Sequence, residues 1–227
     1  MKLDRSVIWQ IVTIGMAPFA MQIAGSLVQA TYNTQLIKYG ADVAVGAMGI
    51  INSVAILIVM AVISINMASQ PIIGYNFGAG NYSRVRQTWD IGIIAGTVIA
   101  EVAFILVELF PGFIIHIFNH DDPRLFEIGI HGLRIFLLML PLVGFQVICS
   151  NYFQSIGKAK ISLFLTLLRQ VIVLLPLLTF LPMRYGINGI WMASPISDFV
   201  STCVVFIFFR IERKKLHQLE VGFSHKY

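Results

Sequence analysis

Along the chain, long apolar stretches alternate with short polar ones. Six apolar runs can be placed at Ile8 to Ile37, Val45 to Ser69, Ile91 to Phe110, Ile128 to Tyr152, Ile161 to Leu181 and Ile187 to Phe209. Each reaches the roughly 20 residues that a helix needs to cross the hydrocarbon core of a bilayer. None shows the period-2 alternation of a barrel strand, and all are too long for one. The pattern predicts an all-α integral membrane fold of six transmembrane helices in a single lobe over residues 1–227, with 210–227 as a charged tail.

Between the second and third runs lies Ser69-Gln-Pro-Ile-Ile-Gly-Tyr-Asn-Phe-Gly-Ala-Gly-Asn-Tyr-Ser-Arg-Val-Arg86. Pro71 lacks a backbone donor, and Gly74, Gly78 and Gly80 permit backbone angles closed to other residues. The stretch therefore reads as a hinge where one helix loosens, with Asn81 or Ser83 capping the next. Its G-x-G is no phosphate cradle. A dinucleotide fingerprint needs a preceding strand and a third glycine, and a P-loop needs G-K-[ST]. Taken alone, the stretch also fits a flexible turn with basic residues at the lipid headgroups.

Composition strengthens the membrane reading. The chain is 57% hydrophobic and 12% charged, with a mean hydropathy of +0.82, whereas soluble domains are about one quarter charged. The net charge of +5 does not signal nucleic acid, because the basic residues cap apolar runs and line no single soluble face. Eleven of the 16 Lys and Arg residues fall at the N-terminus, in the second and fourth loops and in the tail; Lys38, Arg124 and Arg184 fall on the other side, and Arg134 and Arg169 lie within runs. That asymmetry predicts both termini in the cytoplasm. The first run is too long and too interrupted by glutamines for a signal peptide, and is expected to be a retained spanning helix. Cys149 and Cys203 sit inside runs and read as packing residues. Asn119-His120-Asp121-Asp122 could be taken for a metal or diphosphate site, but a solvated loop fits better, since Leu125 stands where an aspartate-rich motif needs an acid. With no HExxH, nucleophile elbow or P-loop, an enzyme and an ATP-driven pump are not expected.

Polar residues inside spanning helices are costly and usually face a partner or a cavity. Gln22, Ser26, Gln29 and Asn33 recur at 4, 3 and 4 residues, which places them on one helix face. They line an aqueous cavity or bond to neighbouring helices; the near-aligned Asn52 and Asn66 of the second run favour the cavity. Asp90, Glu101 and Glu108 share one face of the third run. Glu101 lies roughly 15 Å along from Ile91 and Arg169 roughly 12 Å from Ile161, depths at which the two can pair. Glu108 is placed to meet His131 or Arg134. Asp198 has no evident partner. Paired charges can pin helices together, or an acid can carry the coupling ion. The expected division gives Glu101 and Arg169 the structural role and Asp198 the coupling role, since a paired carboxylate is held ionised. Pro18, Pro141, Pro176 and Pro195 lie inside four of the six runs, as in helices that bend around a cavity.

These residues carry a family likeness. Gly15-Met-Ala-Pro18-Phe, Lys38-Tyr-Gly40 and the Gln70 to Arg86 stretch, followed by Phe153-Gln-Ser-Ile-Gly157-Lys, Leu168-Arg-Gln170 and Gly186-Ile-Asn-Gly-Ile-Trp191 with Pro195 and Asp198, resemble the C-terminal lobe of multidrug and toxin extrusion (MATE) transporters, in particular the MepA-like branch. The resemblance implies one lobe of a twelve-helix antiporter in a bacterial cytoplasmic (inner) membrane. It would export lipophilic cationic compounds in exchange for H+ or Na+, use no other cofactor, and pair with an N-terminal six-helix lobe that this chain lacks. Gln22 and Ser26 stand where NorM-like relatives have a glutamate, so a cation site of that kind is not expected. Two rival readings are an inactive half-protein and a lipid-precursor flippase, the latter needing more cationic residues than Arg134 and Arg169 provide.

Overall fold

A computed structural model describes residues 5–118 and 122–224, with side-chain placement from 19 to 118 and from 122 to 221. The described residues are almost wholly helical. α1 (Arg5–Gly78) is followed by α2 (Tyr82–Leu109), the short α3 (Pro111–Phe118), α4 (Pro123–Phe136), α5 (Leu140–Ser155), α6 (Ala159–Leu167), a π-helical segment (Leu168–Leu174), α7 (Leu175–Tyr185) and α8 (Ile187–Ser224). Four of these helices, or helix runs, are long and apolar enough to cross a membrane, and a fifth arises when the bent α4–α5 pair is taken as one span.

The apolar part of α1 runs for 60 residues. Straight, it would be about 90 Å long, three times the hydrocarbon thickness. The chain avoids this with a break at Ala41, whose φ of 55° and ψ of −164° lie outside the helical region. Gly40 makes room for the bend: a Cβ there would collide with the Ala44 Cβ and stand 2.8 Å from the Ile187 side chain at the start of α8. The arms on either side, 5–40 and 42–78, each exceed the length of one crossing.

The Pro71 hinge is displaced from its expected position. The helix continues through Pro71 to Gly78, and the turn is confined to 79–81, where Gly80 takes a φ of 75°. One missing N–H frees one carbonyl, and the bonds on both sides keep the helix intact. Buried Asn76 closes the turn, with its side chain donating to the Ile72 carbonyl at 2.8 Å and its backbone carbonyl accepting from Asn81 N at 2.9 Å. α2 consequently begins at Tyr82, well before Ile91. Asn81 occupies its N-cap position without a side-chain capping bond.

Pro141 has a larger effect. The fourth run is broken at 137–139 and bends by 49° between α4 and α5. The Leu137 carbonyl, denied its usual donor at Pro141, accepts instead from Leu140 N at 2.9 Å, and Leu142 N donates to the Met139 carbonyl at 3.0 Å. At the N-terminus of α4, the Asp122 carboxylate accepts from Arg124 N and Leu125 N. The rest of the Asn119 to Asp122 loop, with its metal or diphosphate reading, falls at 119–121, outside the described residues.

α8 does not stop at Phe209 but continues as helix to Ser224, so 210–224 is docked structure. Three ion pairs hold it: Lys158–Glu212 at 2.5 Å, Arg86–Glu220 at 3.0 Å and Arg213–Asp90 at 3.2 Å. Asp90, expected as an intramembrane acid, therefore belongs to a charged rim. Below the rim, Trp89 stacks on Tyr152 with ring centroids 3.8 Å apart and meets Phe209 edge-on at 5.1 Å. A second apolar cluster at the other end gathers Met48, Ile51, Leu133, Leu178, Ile190 and Trp191. Outward faces carry exposed Leu57, Ile94, Leu109 and Phe180, the surface a lipid solvent requires.

α2 and α5 cross at glycines. A Cβ on Gly144 would collide with the Gly96 carbonyl oxygen and lie 3.0 Å from the Thr97 Cα, the close approach by which membrane helices gain packing energy. Gly144→Ala is expected to destabilise the fold by about 1–3 kcal/mol through overpacking, measured by thermal unfolding in detergent. Gly25→Ala, where a Cβ meets nothing within 4 Å, is expected to show no such loss.

Candidate functional site

The interior of the lobe is polar along one stripe of α8. Ser194, Ser197, Asp198 and Ser201 recur at helical spacing and all are buried. They face the π-helical segment. Its origin is Pro176, which lacks an N–H and whose ring crowds the carbonyl four residues back, so the helix widens just upstream. Arg169 lies in this widened turn. Its Nε approaches Asp198 Oδ1 at 2.6 Å, while the Ser197 hydroxyl donates to the Arg169 carbonyl at 2.7 Å. The Asp198 side chain is only 5% exposed and that of Arg169 31% exposed. Tyr32, buried on the first arm of α1, lies beside Ser194 and within electrostatic reach of both charges. α1, α8 and the π-helical turn thus meet around one carboxylate.

Several side-chain atoms in nearby turns are buried without a hydrogen-bond partner among the described residues: Tyr32 Oη, Gln35 Oε1, Gln170 Oε1, Ser201 Oγ and Thr202 Oγ1. Such groups usually cost about 1–3 kcal/mol each. They make the surroundings of the ion pair polar.

The structure changes the expected pairings. Glu101 and Arg169 match in depth but not in direction. α2 packs chiefly on α1 and α5, whereas the π segment packs on α8, α7 and α6. Glu101 is exposed on the outer side of α2, and Arg169 is taken by Asp198. Asp198, expected to lack a partner, has a short ion pair in the interior. Glu108 meets Arg134, with Arg134 Nε 3.4 Å from Glu108 Oε2 and its Nη2 donating to the Glu108 carbonyl at 3.3 Å. His131 pairs instead with Asn188 across 3.0 Å.

The stripe on the first arm of α1 stays open. Gln22, Ser26, Gln29 and Asn33 are all exposed. They bond along their own arm, Gln29 Nε2 to Asn33 Oδ1 at 3.4 Å and the Ser26 hydroxyl to the Gln22 carbonyl at 3.1 Å. Asn52 and Asn66 on the second arm are half-buried. Among the described residues no group of three His, Cys, Asp or Glu side chains is arranged to hold a metal.

Ser197 and Tyr32 do not stand out in the sequence. The signal is there in part: Ser194, Ser197 and Ser201 share a helix face with Asp198, and Pro176 follows Arg169 by two turns. Removing one partner of a buried pair strands the other charge, which costs about 3–5 kcal/mol. Arg169→Leu is therefore expected to cost near the lower figure, given its partial exposure. The double variant Arg169→Leu with Asp198→Leu should be more stable than Arg169→Leu alone, and unfolding of the variants in detergent checks the order.

Comparison with known proteins bears on the whole arrangement. The MatE family model matches residues 18–179. The probable multidrug resistance protein YoeA of Bacillus subtilis (strain 168) is 25% identical over 219 residues, covering 95% of this chain and 46% of that protein. A FAD transporter of Shewanella oneidensis is 28% identical over 166 residues, covering 71% of this chain and 35% of its own length. Among solved structures, that of the MATE multidrug transporter DinF-BH aligns with a TM-score of 0.81 at 33% identity, over 93% of this chain and 47% of that one. The chain spans about half the length of the relatives it matches. With a family match across most of its length and the same helical fold, the chain is a multi-pass membrane protein that belongs to the MatE family of multidrug and toxin extrusion transporters.

Proposed function

We propose that the chain is the C-terminal six-helix lobe of a twelve-helix antiporter in a bacterial cytoplasmic membrane, with both termini in the cytoplasm. It works with an N-terminal lobe to export lipophilic cationic compounds in exchange for H+ or Na+. The observation that carries the reading is the Arg169–Asp198 pair, a buried carboxylate met by a half-buried guanidinium on a π-helical turn. Intramembrane ionisable groups at broken helices are the usual sites of ion coupling in secondary transporters.

The pairing revises the division of roles. Arg169 occupies Asp198, and a proton or sodium ion arriving at that carboxylate has to compete with the guanidinium. Winning the competition releases the Arg169 side chain and leaves the π-helical turn tied to α8 by the Ser197 bond alone. A local charge event thereby reaches a bent helix, the element that alternating access must move. Glu108 with Arg134 pins α2 to α4. Glu101, exposed and away from Arg169, takes no part in this centre.

The open stripe of Gln22, Ser26, Gln29 and Asn33, with Asn52 and Asn66, is assigned to the substrate cavity that the second lobe would complete. The stripe carries no charge, so it does not itself select the sign of the cargo. The relative that transports FAD makes an anionic cargo the second reading. A lipid-precursor flippase is less favoured, because both cationic candidates, Arg134 and Arg169, are already paired with carboxylates.

Two experiments test the reading. In native membranes, an antibody against Leu216 to Tyr227 is expected to reveal a polypeptide of twice the 25.3 kDa of this chain; a band at 25.3 kDa would make it a separate half in need of a partner. In the transporter containing this lobe, Gln29→Leu and Asn33→Leu should shift the spectrum of lipophilic cations exported by several-fold without loss of expression. Asp198→Asn should reduce ion-driven efflux to background. Unaltered resistance to every compound, or full transport with unchanged pH dependence in Asp198→Asn, overturns the assignment.

A further inference from the structure

One face of α8 changes character along its length. Phe199, Cys203, Phe206, Arg210, Arg213 and His217 follow one another at spacings of 4, 3, 4, 3 and 4, so they form a single continuous stripe. Its first half is apolar and its second half basic. The stripe passes from bilayer to rim without leaving the same side of the helix.

Each half lines a cavity. The basic end borders a space of about 300 Å³ between Arg86, Arg210, Arg213, Lys214 and His217. The apolar half borders a groove of about 590 Å³ against Leu142 and Phe145 of α5. A second apolar groove, about 570 Å³, continues from the shared Phe199 towards Leu138 and Met192. Arg210 joins the two regions, its guanidinium lying 5.2 Å from the ring centroid of Phe206. Phe199 is roughly 16 Å along the helix from Arg210, a distance an acyl chain spans.

The basic cavity is not neutralised by its surroundings. Arg86 pairs with Glu220, which His217 also approaches at 3.9 Å, and Arg213 pairs with Asp90. Arg210 and Lys214 have no ion-pair partner among the described residues. Two unpaired cations beside two paired ones, opening at the end of an apolar run, attract an anion held at that depth.

We infer that this stripe is a binding site for an anionic two-chain phospholipid. The phosphate of the headgroup lies between Arg210, Lys214 and the outer nitrogens of Arg86 and Arg213, and the acyl chains occupy the two grooves that meet at Phe199. Phosphate recognition by a guanidinium cluster and burial of acyl methylenes act together, so neither a zwitterionic lipid nor a free anion satisfies the whole site. A lipid held there would bridge α8 to α5 and fix the charged rim against the membrane surface.

The test is native mass spectrometry of the purified full-length protein in detergent, titrated separately with phosphatidylglycerol, phosphatidylcholine and inorganic phosphate. The expected result is a saturable phosphatidylglycerol adduct, little phosphatidylcholine adduct, and no displacement of the lipid by millimolar phosphate. Arg210→Gln with Lys214→Gln should weaken phosphatidylglycerol on the order of thirtyfold, from about 1 kcal/mol per basic side chain. Cys203→Trp, which fills the groove and leaves the basic cluster intact, should also weaken it. Raising the ionic strength should strip the adduct from the unmodified protein, a measurement that stands even where a variant fails to fold. Equal adducts with both lipids, displacement by free phosphate, insensitivity to both variants or salt, or no adduct because a second lobe covers this face would each overturn the inference.

Discussion

The widened turn ahead of Pro176 shapes the centre of this chain, because it carries both the carbonyl and the charge that α8 holds there. The helix upstream widens into a π-helical turn, and the Ser197 hydroxyl of α8 donates to the Arg169 carbonyl within it. The same turn presents Arg169 to Asp198. A backbone hydrogen bond and a charge pair thus join the same two helices at the same place. A lone Arg or Asp at this depth would be costly. Together, and with Tyr32 beside them, they form a polar core inside an apolar shell.

The remainder of the architecture follows the same rule at lower stakes. Pro141 is met by shorter i→i+3 bonds and a 49° bend, and Pro71 by a helix that runs on undisturbed. Near the charged end, the acids and bases that could not be buried alone are joined as ion pairs between α8, α2 and the α5–α6 turn. Between these levels, Gly96 and Gly144 bring α2 and α5 into backbone contact. The result is close packing at both ends with a π-helical turn between them.

Much of the surface is unfinished in a way that differs from an ordinary lipid-facing exterior. The face bearing Gln22, Ser26, Gln29 and Asn33 is polar and uncovered, and lipid cannot satisfy it. The stripe from Phe199 to His217 is uncovered too, but it is graded from apolar to basic, matching a lipid in chain and headgroup. One surface calls for a protein or an aqueous cavity and the other for the membrane itself.

The all-helical membrane class, the family likeness and a partner for Glu108 in the fourth run, His131 or Arg134, were legible in the sequence, because they depend on run length, local motifs and approximate depth. These quantities are read along one dimension. The interior pairing of Arg169 was not, since Glu101 and Asp198 both lie at plausible depths and only the direction in which each helix faces separates them. That direction is set by which helices pack together, α2 on α5 and the π segment on α8. Likewise, the prolines were visible but not their outcomes: a proline's effect depends on which neighbouring donor reaches the carbonyl it frees. Sequence by itself determined which stretches are apolar helices and roughly how far along each one its polar groups lie. Tertiary structure decided which partner each buried group received, because depth runs along a helix and partnership runs around it.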